Sequence, residues 1–111
     1  MAIQELIQRA LTAHQRGQLD QAADLYEQVL NLESQNFAAL QFFGVLRAQQ
    51  GRNVEAAKLL ESALALQPDN FGALINYSQV LMGAGQVREA LAVLDRALAI
   101  GQAQPNGIEP T

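Results

Sequence analysis

Apolar residues return along this chain with a period longer than any single helix. Leu6, Leu40 and Leu74 stand 34 residues apart, as do Ala22, Ala56 and Ala90, and Gly17, Gly51 and Gly85 hold the same register between them. Three units, 3–36, 37–70 and 71–104, align without a gap. The matches run along the whole unit: Leu25/Leu59, Leu30/Leu64 and Asn36/Asn70 pair the first two, and Phe37/Phe71, Leu60/Leu94 and Ala63-Leu64-Ala65 against Ala97-Leu98-Ala99 pair the last two. Self-similarity of this length marks a helix-turn-helix array whose units bury their apolar faces only against each other.

Each glycine divides its unit into two helices, because a helix commonly ends on a left-handed residue that glycine adopts without a Cβ penalty. The spacing predicts helix pairs at 3–15 with 20–32, 37–49 with 54–66, and 71–83 with 88–100. Asn36 and Asn70 stand where a side-chain oxygen can cap the following helix. Asp20, Glu55 and Glu89 fall in the first turn of each second helix, where negative charge complements the dipole. The small residues Ala22, Ala56 and Ala90 let paired helices approach closely beside each turn.

These spacings resemble the tetratricopeptide repeat family over about residues 3–104. The second unit follows the family pattern as Leu40, Phe43-Gly44, Ala56, Leu60 and Pro68, with Arg47 where an aromatic is usual. The third reads Leu74, Tyr77-Ser78, Leu81, Ala90 and Leu94, with Gln102 in place of proline. The first is the most divergent, reading Leu6, Arg9-Ala10, Ala13, Ala22, Tyr26 and Ser34. The resemblance implies an all-α fold: an α-solenoid of three antiparallel helix-turn-helix repeats in a right-handed superhelix, forming one domain over 1–104 with a flexible tail at 105–111.

The resemblance also implies where a partner sits. First helices of such arrays line a concave groove that receives a peptide or a partner's helix. Its residues here are Gln4, Ile7, Gln8, Leu11, His14 and Gln15 from the first unit, Ala38, Gln41, Phe42, Val45, Ala48 and Gln49 from the second, and Ile75, Asn76, Gln79 and Met82 from the third. One branch of the family grips the carboxyl terminus of heat-shock chaperones with lysine, arginine and asparagine; the matching positions here hold Ile7, Leu11, Phe42, Gly72 and Asn76. Without cations the groove cannot hold a terminal carboxylate through charge-assisted bonds, so no chaperone-tail binding is expected. Similar arrays precede the catalytic domain in bacterial relatives of the O-linked N-acetylglucosamine transferases, which makes a recognition segment of a larger enzyme the alternative reading.

Composition narrows the remaining classes. Half of the 111 residues are hydrophobic, ample for a packed core, and the formal net charge is −4. The seven basic residues are dispersed through the units, which leaves no stripe to neutralise a phosphate backbone, so no nucleic-acid partner is expected. No long apolar run suggests a signal peptide or a membrane span, and a cytoplasmic protein without membrane contact is the default reading. Cysteine is absent.

No catalytic constellation emerges, and the chain is not expected to be an enzyme. His14, the sole histidine, has no cysteine or second histidine with which to bind metal or relay a proton, so neither metal nor cofactor is expected. Gly83-Ala84-Gly85 follows a helix instead of a strand and lacks the third glycine of a dinucleotide loop, which makes it a turn. Asn76-Tyr77-Ser78 matches a glycosylation acceptor but falls mid-helix. In the last helix, apolar residues cover roughly half the circumference, whereas packing against one neighbour needs about 100°. Either the chain is a piece of something longer, or it self-associates there as a homo-oligomer through Leu91, Leu94 and Leu98.

Overall fold

The structure, a computed structural model, describes residues 2–103. Among them the chain forms six helices and no strand: α1 (Ile3–Gln15), α2 (Leu19–Leu32), α3 (Phe37–Gln49), α4 (Asn53–Leu66), α5 (Phe71–Gly83) and α6 (Val87–Ala103). Each helix packs most extensively on its hairpin partner, α1 on α2, α3 on α4 and α5 on α6. The hairpins then stack through α2 on α3 and α4 on α5, with lighter contacts of α1 to α3 and of α3 to α5. The result is an all-α helical repeat solenoid. The expected tail at 105–111 lies outside the described residues.

Three identical turns set the period. Gly17, Gly51 and Gly85 have φ of 76°, 78° and 83°, in the left-handed region where a Cβ is penalised. At the first of them the Gly17 amide donates to His14 O and the Gln18 amide to Ala13 O, the paired bonds that close a helix on a left-handed residue. The units also begin alike. Asn36 Oδ1 accepts from the Ala39 amide and Asn70 Oδ1 from the Ala73 amide, each at 2.9 Å, and such caps contribute about 1 kcal/mol apiece.

Packing explains the small residues. Ala22, Ala56 and Ala90 are wholly enclosed. A Cβ placed on Gly44 would lie 2.8 Å from Leu60 Cγ and 3.4 Å from the Ala56 carbonyl, so α3 and α4 meet almost backbone to backbone. Tyr26, Val29, Leu46, Leu60 and Leu74 are fully buried in the layers between hairpins, each burial of a large apolar side chain being worth roughly 1.5–3 kcal/mol. Arg47, in the place of the family's aromatic, still serves the same layer. Its guanidinium lies 4.7 Å from the centre of the Phe43 ring and 3.6 Å from Glu27.

One boundary differs from the sequence reading. The last helix was expected to end at residue 100, yet α6 runs through Gly101 to Ala103. Gly101 faces the Phe71 ring, where an added Cβ would meet Cε1 at 3.3 Å; the missing side chain lets the final turn lie against the start of α5 instead of breaking the helix.

Both tyrosines serve as buried donors, with a consequence at alkaline pH. Burial pushes the Tyr26 hydroxyl up to about 12. Burial first, and then the 2.8 Å hydrogen bond to Glu61, raise Tyr77 as well. An unfolded tyrosine ionises near pH 10 while the folded ones remain protonated, so the unfolded chain binds fewer protons above that pH and stability falls as pH rises. Urea midpoints are therefore expected to hold steady up to about pH 9.5 and to drop between about pH 10 and 12, with phenolate absorbance appearing only as the chain unfolds.

Candidate interaction groove

The first helices of the three units supply the candidate surface. Between α3 and α5 lies a cavity of about 470 Å³ lined by Val45, Ala48, Gln49, Gly51, Asn53, Asn76, Gln79, Val80 and Gly83. Five of these, Val45, Ala48, Gln49, Asn76 and Gln79, are among the residues read from sequence as groove-lining. None of the nine side chains carries a charge. The lining offers carboxamides, which both donate and accept, between methyl-bearing patches.

The other expected groove residues divide by burial. Gln4, Gln8, Gln15 and Met82 are exposed, and Leu11, His14, Ala38, Gln41, Phe42 and Ile75 are half-buried. Ile7 departs from its assignment, being only 6% exposed within the core shared by α1, α2 and α3. The reason is that α1 touches α3 as well as α2, so its apolar face is wider than one neighbour requires and Ile7 fills the second seam. Leu11 and Phe42 pack against the same core with one side and reach the surface with the other.

His14 joins three helices. Nε2 lies 2.7 Å from Gln49 Oε1 and Nδ1 lies 2.9 Å from the Tyr26 hydroxyl. A carboxamide oxygen only accepts, so Nε2 carries the hydrogen toward Gln49 and the tyrosine bonds the other nitrogen. The imidazole thus fixes a groove residue of α3 against α1 and α2. It is an orienting group.

The family resemblance did not point to the rest of the cavity lining. Gly51 belongs to the turn after α3, and Asn53 opens α4. A Cβ on Gly83 would sit 3.7 Å from the Asn53 carboxamide, so the absence of a side chain at 83 keeps that end of the cavity open. The one available signal was an asparagine two residues past the turn glycine.

Among the described residues no three His, Cys, Asp or Glu side chains are placed to bind a metal ion, and no helix is long and apolar enough to cross a membrane. On α6, Leu91 and Leu98 are each 50% exposed and Leu94 is half-buried.

Two family models, both described as tetratricopeptide repeat, match the chain, one over residues 7–71 and one over residues 47–107. Among curated protein sequences no significant match is found. Of the solved structures similar to this chain, a mutant O-GlcNAc transferase of Thermobaculum terrenum is 31% identical with a TM-score of 0.84, over 88% of this chain and 19% of that one. The chain thus spans about a fifth of that enzyme. The type III secretion translocator chaperone SycD of Yersinia enterocolitica, in an alternative dimer, superposes with a TM-score of 0.87 at 18% identity, over 96% of this chain and 81% of that one. The first repeat domain of Spaghetti (RPAP3), bound to the HSP90 peptide SRMEEVD, gives 0.85 at 16% identity, over 88% and 78%.

Proposed function

Since the chain belongs to the tetratricopeptide repeat family, we propose that it is a non-catalytic scaffold that receives an extended segment of a partner protein along α1, α3 and α5. The observation that carries this reading is the uncharged, carboxamide-lined cavity between α3 and α5. Carboxamides spaced along such a surface match the alternating donors and acceptors of an extended backbone, while Val45 and Ala48 offer apolar contact to small side chains. The partner is then protein or peptide; nucleic acid and membrane have no place in the reading, and a cytoplasmic setting suits it.

The groove is tested by selecting peptides from a random display library on the wild-type chain and challenging them with the double variant Val45→Glu, Gln79→Glu. Retention on wild type and loss on the variant, with unchanged helical circular dichroism, is the expected result. Equal retention on both would place binding elsewhere. A calorimetric titration with SRMEEVD is expected to give no measurable heat, since the cavity offers its carboxylates no cation; micromolar affinity would overturn the chemistry assigned to the groove.

The similarity to the Thermobaculum enzyme favours a second reading, in which this array is the recognition segment of an O-GlcNAc-transferase-like glycosyltransferase. An open reading frame continuing beyond Thr111 into a glycosyltransferase domain would support it, and a stop codon there would remove it. In the stand-alone setting, Leu91, Leu94 and Leu98 provide a separate surface for homo-oligomer formation.

A further inference from the structure

Every second helix of the array carries the same face in the same register. In α2 that face includes Ala23, Tyr26 and Leu30 and meets α3; in α4 it includes Ala57, Leu60 and Leu64 and meets α5. The equivalent residues of α6 are Leu91, Leu94 and Leu98. Tyr26 and Leu60 are wholly enclosed, whereas Leu94 is only half-buried and Leu91 and Leu98 are 50% exposed. An interface formed twice inside the chain is thus presented a third time, uncovered among the described residues. Its composition has also changed. Leucine stands at 91 where alanines at 23 and 57 admit a close neighbour, and Val87, 49% exposed, extends the row. Val87, Leu91, Leu94 and Leu98 are spaced four, three and four apart, the seam of a helix that pairs through knobs and holes.

Resting on the reading of α6 as a surface for a second copy, the geometry points to one arrangement: two α6 helices pack antiparallel about a two-fold axis passing between Leu91 and Leu94. Stacking the next copy's α1 on α6 is disfavoured by the polarity of α1. Where α3 and α5 turn Ala39/Ala73, Phe43/Tyr77 and Leu46/Val80 toward the preceding helix, α1 has Glu5, Arg9 and Thr12, all exposed; covering them would desolvate charge. That contact would also repeat without closing, whereas the α6 pair closes on itself.

Charge selects the direction of the pair. Arg88 and Asp95 are exposed on the solvent side of the seam, seven residues apart, and neither forms an ion pair among the described residues. About the proposed axis each Arg88 falls within two residues of the partner's Asp95, roughly 3 Å along the helix, giving two reciprocal pairs. A parallel pair would instead set this flank against the side of the partner helix that carries its buried alanines, Ala90 and Ala97.

Sedimentation analysis over a range of concentrations tests the arrangement. The wild-type chain is expected to show a reversible monomer–dimer equilibrium that weakens with salt, and Leu91→Glu to remain monomeric with wild-type helicity. Arg88→Glu or Asp95→Arg alone is expected to weaken association by about tenfold, and the two together to restore it. A wild-type chain that stays monomeric at every concentration overturns the second-copy reading itself, as does a dimer indifferent to Leu91→Glu. A dimer broken by Leu91→Glu but unaffected by either charge change leaves the surface assigned to α6 and overturns the antiparallel arrangement.

Discussion

Leu60→Ala is expected to lower the stability of the chain by about 2–5 kcal/mol, the range for emptying a fully enclosed leucine site. Leu60 has no exposed surface and belongs to the core formed with Ala56, Tyr77, Val80 and Leu81, which ties α4 to α5. Its other side presses on Gly44 of α3, so three helices converge on one side chain. None can fill the space without moving its own hairpin. Because neighbouring units stabilise each other in a stack, a loss in the central unit propagates in both directions. Urea denaturation followed by circular dichroism should show a lower midpoint with little change in slope. A midpoint equal to wild type would mean that Leu60 does not stand at the junction of the second and third units.

The second large effect runs in the opposite steric direction. Ala56→Leu should cost on the order of 1–3 kcal/mol by overpacking, lowering the melting temperature by roughly 4 °C or more. Ala56 is wholly enclosed, and its carbonyl lies 3.4 Å from where a Gly44 Cβ would stand. Three added carbons have nowhere to go unless α3 and α4 separate. An unchanged melting temperature would place the contact between these helices elsewhere.

Much of this architecture is legible in the sequence because its causes are local and repeated three times. A left-handed turn needs glycine, a helix start gains from asparagine, and a close crossing needs alanine; each requirement recurs at the same interval, so Gly17/Gly51/Gly85, Asn36/Asn70 and Ala22/Ala56/Ala90 announce themselves. Features set by the contact of non-repeated residues are not legible in this way. The resemblance places Ile7 in the groove, but it fills a seam created by the contact of α1 with α3. Glu61 has the spacing of a solvated helix acid and is exposed, yet it also accepts the Tyr77 hydroxyl, a contact that no repeat spacing reports. Gly101, a helix breaker by type, lies inside α6, with the Phe71 ring packed close to where a side chain would stand. The cavity between α3 and α5 was visible only in part, since the family resemblance points to Val45, Ala48, Gln49, Asn76 and Gln79 of the first helices but not to Asn53 at the start of the helix between them.

The central claim is that partners are received on the α1, α3 and α5 side of the stack. Titrating an isotope-labelled chain with a peptide recovered from the library, and following backbone amide and side-chain carboxamide resonances, tests it most directly. The predicted result is perturbation concentrated at Val45, Ala48, Gln49, Asn76 and Gln79, with α6 unmoved. Perturbation confined to α2, α4 or α6, with the cavity resonances unchanged at saturation, would contradict it.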